Sequence, residues 1–221
     1  MRKKILVVAA HPDDEVIGCG GTIIEHNKKG DEVHLVFMTN GVDSRGPKES
    51  MIISRNHSSK VASKILGISS LKYNTFPDNK MDEVPLLDII QTIESSILSI
   101  RPDIIYTHYF DDLNIDHKIT YQAVITAARP QPGMTVKEIY SFEVLSSTEW
   151  NYSNSNFNPN VFIDIGGSIS IKEEALKAYS QEMRPPPHSR SVENILRLNS
   201  QRGNCVGVDY AEAFMLIRLL K

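Results

Sequence analysis

Sulfhydryls are scarce: Cys19 and Cys205 are the only cysteines in 221 residues. Far apart in sequence, they make neither a disulfide framework nor a CxxC metal motif, which points to a reducing, intracellular compartment. An excess of one charge is also missing. The chain has 24 Lys and Arg against 27 Asp and Glu, a formal net charge of −3, dispersed rather than gathered into blocks. Bulk electrostatics therefore give no reason to expect a nucleic-acid or acidic-membrane partner. No apolar run approaches the length of a membrane span. The opening Met1-Arg2-Lys3-Lys4 imitates a signal peptide, but the apolar run that follows stops at His11-Pro12-Asp13-Asp14 without a small-residue cleavage site. A cytoplasmic protein is expected. The dinucleotide fingerprint and the P-loop are absent too. Gly18-Cys19-Gly20-Gly21 has neither the spacing nor the lysine, and these glycines better suit a helix packed closely on a sheet.

What the chain does have is an alternation of element types, with an apolar fraction of 41% that argues against disorder. Ile5 to Ala10 reads as a strand covered on both faces, and Val16 to Lys29 as a helix ended by Gly30. Strand patterns recur at Glu32–Thr39, Leu71–Thr75, Asp103–Thr107, Ile139–Val144, Val161–Ile165 and Ala213–Leu219. Helical patterns cover about Met51–Leu66, Pro85–Ile100, His117–Ala128, Ser168–Tyr179 and Ser191–Arg202. Polar loops are expected at Asn40–Lys48 and Trp150–Pro159. The alternation predicts a Rossmann-like, three-layer αβα fold with a mainly parallel sheet. One domain is expected over residues 1–221, with a smaller C-terminal subregion beginning near residue 150 as the alternative.

Two clusters carry chemistry. Ala10-His11-Pro12-Asp13-Asp14-Glu15 follows the first strand, and His108 through Asp116-His117 follows the strand Asp103–Thr107. Open α/β sheets bind ligands at the carboxyl edge of their strands, so a parallel sheet brings both clusters to one edge. Three adjacent carboxylates repel one another, and a divalent metal is the economical neutraliser. His11, Asp14 and His117 then supply two imidazoles and a carboxylate with open coordination positions, as catalytic zinc sites require. Asp13 is placed to be a general base. The plainer alternative makes His-Pro-Asp a turn, with Asp13 or Asp14 capping the next helix.

These residues resemble the PIG-L / LmbE-like N-acetylglucosaminyl deacetylases. Residues 10–15 match the first signature of that family in full, and Asp116-His117 matches the end of its second. Thr39-Asn40-Gly41, Arg55, Leu66-Gly67 and Pro77-Asp78 fall where the family has similar residues. The resemblance implies zinc, or Fe2+ or another divalent metal, held by His11, Asp14 and His117. It makes Asp13 the base that activates the metal-bound water, and has Arg55 and Asp78 contact a polar part of the substrate. It further implies a homo-oligomer, a trimer or hexamer. Arg55 as a helix-surface charge and Asp78 as a turn former are the alternatives. Asp116 suits an orienting role beside the ligand histidine, and Glu15 a structural hydrogen bond.

One position departs from the family pattern. Many members carry a histidine three residues before the ligand histidine, where this chain has Asn114. Asparagine can donate a hydrogen bond to an oxyanion but cannot deliver a proton at neutral pH. His188, stiffened by Pro185-Pro186-Pro187 and followed by Arg190, is the candidate for that role, from its own or a neighbouring subunit. A surface histidine is the alternative, and His108 is a weaker rival. Trp150 is expected at the sugar-binding mouth or as a buried anchor.

The expected activity is removal of acetyl from an N-acetylated amino sugar or its conjugate. A thiol-conjugate amidase, a non-haem Fe(II) oxygenase sharing the two-His-one-carboxylate set, and a non-catalytic sugar- or nucleotide-binding module are the other readings.

Overall fold

The structure, a computed structural model, describes residues 2–42, 49–152 and 156–221. Of the loop expected at Asn40–Lys48, everything past Val42 lies outside the described residues, as do residues 153–155 of the Asn- and Ser-rich loop. Among the described residues, seven strands form one sheet: β1 (Lys4–Ala9), β2 (Glu32–Thr39), β3 (Ser70–Phe76), β4 (Ile104–His108), β5 (Glu138–Phe142), β6 (Val161–Asp164) and β7 (Ala211–Leu219). Six helices pack on it: α1 (Asp14–Lys28), α2 (Glu49–Leu66), α3 (Leu86–Ile100), α4 (Ile115–Ala127), α5 (Ile169–Ala178) and α6 (Val192–Asn204).

Strand β1 shows why the sheet is covered twice. Ile5, Val7 and Ala9 belong to the core with α1, α2, α5 and α6, whereas Leu6 and Val8 face the core built with α3 and α4. A strand with apolar residues at both phases needs both faces covered, and here helices on each side of the sheet supply the cover. This is the fold class expected from sequence.

The strand order is β3-β2-β1-β4-β5-β7-β6. Strands β1 to β5 run parallel, and β7 pairs antiparallel with both β5 and β6. Chain order reverses between β1 and β4, so the crevice at their carboxyl ends is the topological switch point. The two histidine-bearing clusters follow these two strands.

Helix boundaries shift in ways that matter. α1 begins at Asp14 rather than Val16, and α4 at Ile115 rather than His117, so Asp14, Asp116 and His117 all stand in first helical turns. α1 is also broken at Cys19, whose φ of −146° and ψ of 21° are non-helical, where sequence periodicity gives a continuous helix. Its glycines do allow close approach: a methyl group on Gly18 would come within 2.3 Å of the Phe142 ring, and one on Gly21 within 2.7 Å of Ile165. Gly18→Ala is expected to destabilise the fold by about 1–3 kcal/mol through overpacking. Urea unfolding measures this, and an unchanged midpoint would show that the helix can move off β5 freely.

Candidate active site

The turn between β1 and α1 is held in a conformation few residues adopt. Asp13 has φ 121° and ψ −27°, a strained arrangement for a residue with a side chain. Glu15 Oε2 fixes it by accepting the Asp13 amide at 2.9 Å, while Glu15 Oε1 accepts the Tyr179 hydroxyl at 2.7 Å. Burial pushes the Glu15 carboxyl up to about 8 against these hydrogen bonds. The Asp13 side chain makes no capping bond to α1. Its two oxygens meet Arg55 Nη2 at 3.2 Å and Arg190 Nη1 at 3.1 Å, so the capping alternative does not describe it.

Next to it, three ligand-type atoms converge. Asp14 Oδ2 lies 3.2 Å from His11 Nδ1 and 3.3 Å from His117 Nε2, and the two nitrogens are 3.2 Å apart. The three residues are buried, and Asp14 Oδ1 has no hydrogen-bond partner. Two facing imidazole nitrogens and a half-satisfied carboxylate form a donor set that, once deprotonated, fits a divalent cation. A second grouping, His11 Nε2 with Asp78 and Asp116, serves differently. Asp116 already accepts the backbone amides of Asn79 at 2.7 Å and Met81 at 3.0 Å, and receives His11 Nε2–H at 3.0 Å. A carboxylate fixed in this way orients a ligating histidine through its far nitrogen.

His117 is oriented by a residue that sequence reasoning passed over. Asp112 Oδ1 stands 3.1 Å from His117 Nδ1, and Asp112 itself accepts the hydroxyls of Ser147 and Thr148. Burial opposes its charge, but His117 and these hydroxyls hold its carboxyl down at about 2. Its only trace in sequence is a second acidic residue five positions before the histidine. Two other contributors come from distant parts of the chain. Glu182 pairs with Arg55, and Arg190 reaches Asp13 from the segment after the proline run.

Among the described residues, those lining the cleft are His11, Asp13, Gly41, Arg55, Asp78, Asn79, Asn114, His117 and Arg190, around about 420 Å³. Arg55 is buried inside the site rather than lying on a helix surface. Asn114 has a structural duty as well: its Oδ1 caps α4 by accepting the Asp116 amide at 2.8 Å, and its Nδ2 donates to Asn79 Oδ1 at 2.8 Å. His188 packs edge-on against Trp150, ring centroids 5.6 Å apart, and its Nδ1 accepts the Arg190 amide at 3.0 Å. What the structure places in the cleft from this segment is Arg190. His108 stacks on His117 at 3.9 Å, and its Nε2 accepts the Ala10 amide. Burial and the neighbouring His117 hold its pKa well below the ordinary value, so it stays neutral.

Burial alone would make both cleft histidines neutral, yet the carboxylates outweigh it. Asp116, Asp14 and Asp78 raise His11 well above its ordinary value, and Asp14 and Asp112 raise His117 to about 9. In the metal-free protein His117 is therefore expected to titrate near pH 9 by NMR. Because the folded-state pKa lies above the unfolded value of about 6.5, its stabilisation is complete below that value and is lost as pH rises through 9. Titration at or below 6.5 would overturn the assigned ion pairing. Cation binding must displace these protons, so affinity should weaken as pH falls.

Comparison with known proteins identifies the family. Residues 6–128 match the family model PIG-L, described as GlcNAc-PI de-N-acetylase. The chain is 32% identical over 184 residues to the uncharacterized deacetylase YaiS of Escherichia coli K12, covering 80% of this chain and 91% of that one. It is 23% identical over 188 residues to a probable N-acetyl-alpha-D-glucosaminyl L-malate deacetylase 2 of Bacillus anthracis, 81% of each chain. In fold it is similar to the N,N'-diacetylchitobiose deacetylase of Pyrococcus horikoshii, with a TM-score of 0.78 and 21% identity over 98% of this chain and 84% of that one. A family match over more than half the chain and a relative of this similarity give one conclusion: the chain belongs to the PIG-L family.

Proposed function

We propose that this chain is a zinc-dependent N-deacetylase that hydrolyses the acetamide of an N-acetylated amino sugar of the N-acetylglucosamine type, free or as a conjugate. The observation that carries the reading is the convergence of His11 Nδ1, Asp14 Oδ2 and His117 Nε2 beside the Asp13 carboxylate in one cleft. The names of the relatives support the substrate class, and the polar lining suits a polyhydroxylated ligand.

His11, Asp14 and His117 would hold the ion. Bound there, zinc supplies Lewis acidity, lowering the pKa of water and polarising a carbonyl oxygen. Asp13 takes the proton from the attacking water, its two oxygens steadied by Arg55 and Arg190. The water oxygen bonds to the acyl carbon, and Asn114 Nδ2 has a second N–H available for the developing oxyanion. The C–N bond then breaks, and Asp13 returns its proton to the amine, leaving acetate and a free amino sugar. Asp78, Asn79 and Arg55 face the cleft where sugar hydroxyls would lie.

The test is acetate release from N-acetylglucosamine and its nucleotide-, lipid- and thiol-linked conjugates, with the metal content defined. Asp13→Asn is expected to keep its zinc while losing turnover by about 10²–10⁴-fold. His11→Ala and His117→Ala should lose metal and activity together. Loss of zinc in Asp13→Asn would make that residue a ligand rather than a base. No acetate from any member of the panel would reject the deacetylase reading.

A further inference from the structure

The break in α1 is not an irregularity of packing; a pair of buried charges is inserted into it. In an unbroken helix the Gly21 and Thr22 amides would donate to the carbonyls of Ile17 and Gly18. Here both donate to Glu212, at 2.8 Å to Oε1 and 2.7 Å to Oε2. The carbonyl of Ile17 instead accepts Lys172 Nζ at 3.0 Å, and Lys172 closes the circuit on Glu212 Oε1 at 2.6 Å. Lys172 comes from α5 and Glu212 from β7, and both side chains are essentially without solvent exposure. Side chains inserted into the hydrogen-bond ladder are a recognised cause of a sharp kink.

The consequence is a division of labour within α1. Its second segment starts afresh at Gly20-Gly21, with the Glu212 carboxylate at its positive end. Its first turn becomes a separate piece, bounded by the strained Asp13 and by the Ile17 carbonyl. Asp14 opens that turn, and the Val16 and Ile17 amides tie it back to the Asp13 carbonyl at 3.2 and 3.1 Å. At the far end of the turn the Ile17 carbonyl is held by Lys172. Desolvating a lysine and a glutamate is costly, and a continuous helix over an apolar core would avoid that cost.

We propose that Lys172 and Glu212 are positioning residues for the metal loop: their buried ion pair fixes the 14–18 turn, and with it Asp13 and Asp14, in the binding geometry before any cation arrives. This rests on the metal reading given above. Lys172 and Glu212 touch neither the cleft nor its ligands, so the effect is transmitted through the backbone of one turn.

The experiment uses full-length protein and zinc alone. Unaltered protein is titrated first; failure to bind zinc there strikes the metal reading, not this inference. Lys172→Met, and the pair Lys172→Met with Glu212→Gln to remove the lone buried charge, are then compared by circular dichroism, by zinc titration, and by the rise in melting temperature that zinc confers. Folded variants are expected to bind zinc about 10–100-fold more weakly, the usual cost of losing support behind a ligand, and to show a smaller zinc-induced rise. A merely structural pair would lower the melting temperature of metal-free and zinc-loaded protein equally and leave zinc affinity within twofold, and that result overturns the proposal. Hydrogen exchange on unaltered protein gives a reading independent of any variant. The Gly21 and Thr22 amides should be protected with and without zinc; rapid exchange in the metal-free protein also overturns it.

Discussion

The confinement of negative charge at one end of the β1–β4 crevice is the constraint on which the other features depend. Asp13, Asp14, Asp78, Asp112 and Asp116 are all buried there, where an unpaired carboxylate would be prohibitively costly. Four of them have distinct forms of compensation. Asp13 has two guanidinium groups, Asp112 two hydroxyls and an imidazole, and Asp116 two backbone amides and an imidazole. Asp14 accepts the His11 amide at 2.8 Å through Oδ2, leaving Oδ1 without a partner. Asp14 is the carboxylate among them that faces two imidazole nitrogens, and on the proposed mechanism these different surroundings separate ligand, base and orienting groups among residues of the same chemical type.

Topology makes the crowding possible. Strands β1 and β4 are far apart in sequence but neighbours in the sheet, and each delivers its cluster directly into a helical first turn. The polar end of α4 is fastened by Asn114 and the extended entry of α1 by Glu15. Orientation then propagates outward in layers: Ser147 and Thr148 hold Asp112, Asp112 holds His117, and Asn79 and Met81 hold Asp116, which holds His11. Such layering restricts each imidazole to one ring orientation, so that binding of a cation at the proposed site would require loss of protons rather than movement of the rings.

The parts of this arrangement that were legible in the sequence are those governed by short-range patterns. Alternating apolar phases gave the covered strands, and His-Pro-Asp-Asp-Glu after β1 with Asp-His after β4 located the crevice. Pairings across long sequence separation were not legible. Arg190 meets Asp13 and Glu182 meets Arg55 through α5, α6 and their connections, whose placement no local pattern encodes. The antiparallel β7 escapes for a related reason, since an apolar run does not state its direction. Asp112 was overlooked because an acidic loop residue looks the same whether solvated or buried behind a histidine. The break in α1 is hidden altogether, because its cause lies on α5 and β7.

The same spatial information narrows the proton question that Asn114 raises. On the proposed mechanism the leaving amine needs a donor, and four histidines stand near enough to consider. His108 is kept neutral by burial and by the stacked His117, with one nitrogen already accepting the Ala10 amide. His188 turns its Nδ1 to the Arg190 backbone and its ring to Trp150. His11 and His117 belong to the proposed donor set itself, and their far nitrogens are committed to Asp116 and Asp112. Asp13 lines the cleft between Arg55 and Arg190, and on the proposed mechanism it is the group that already holds the proton taken from water. An asparagine at position 114 is thus compatible with a complete cycle in which one carboxylate carries the proton in both directions, while the amide caps α4 and serves the oxyanion.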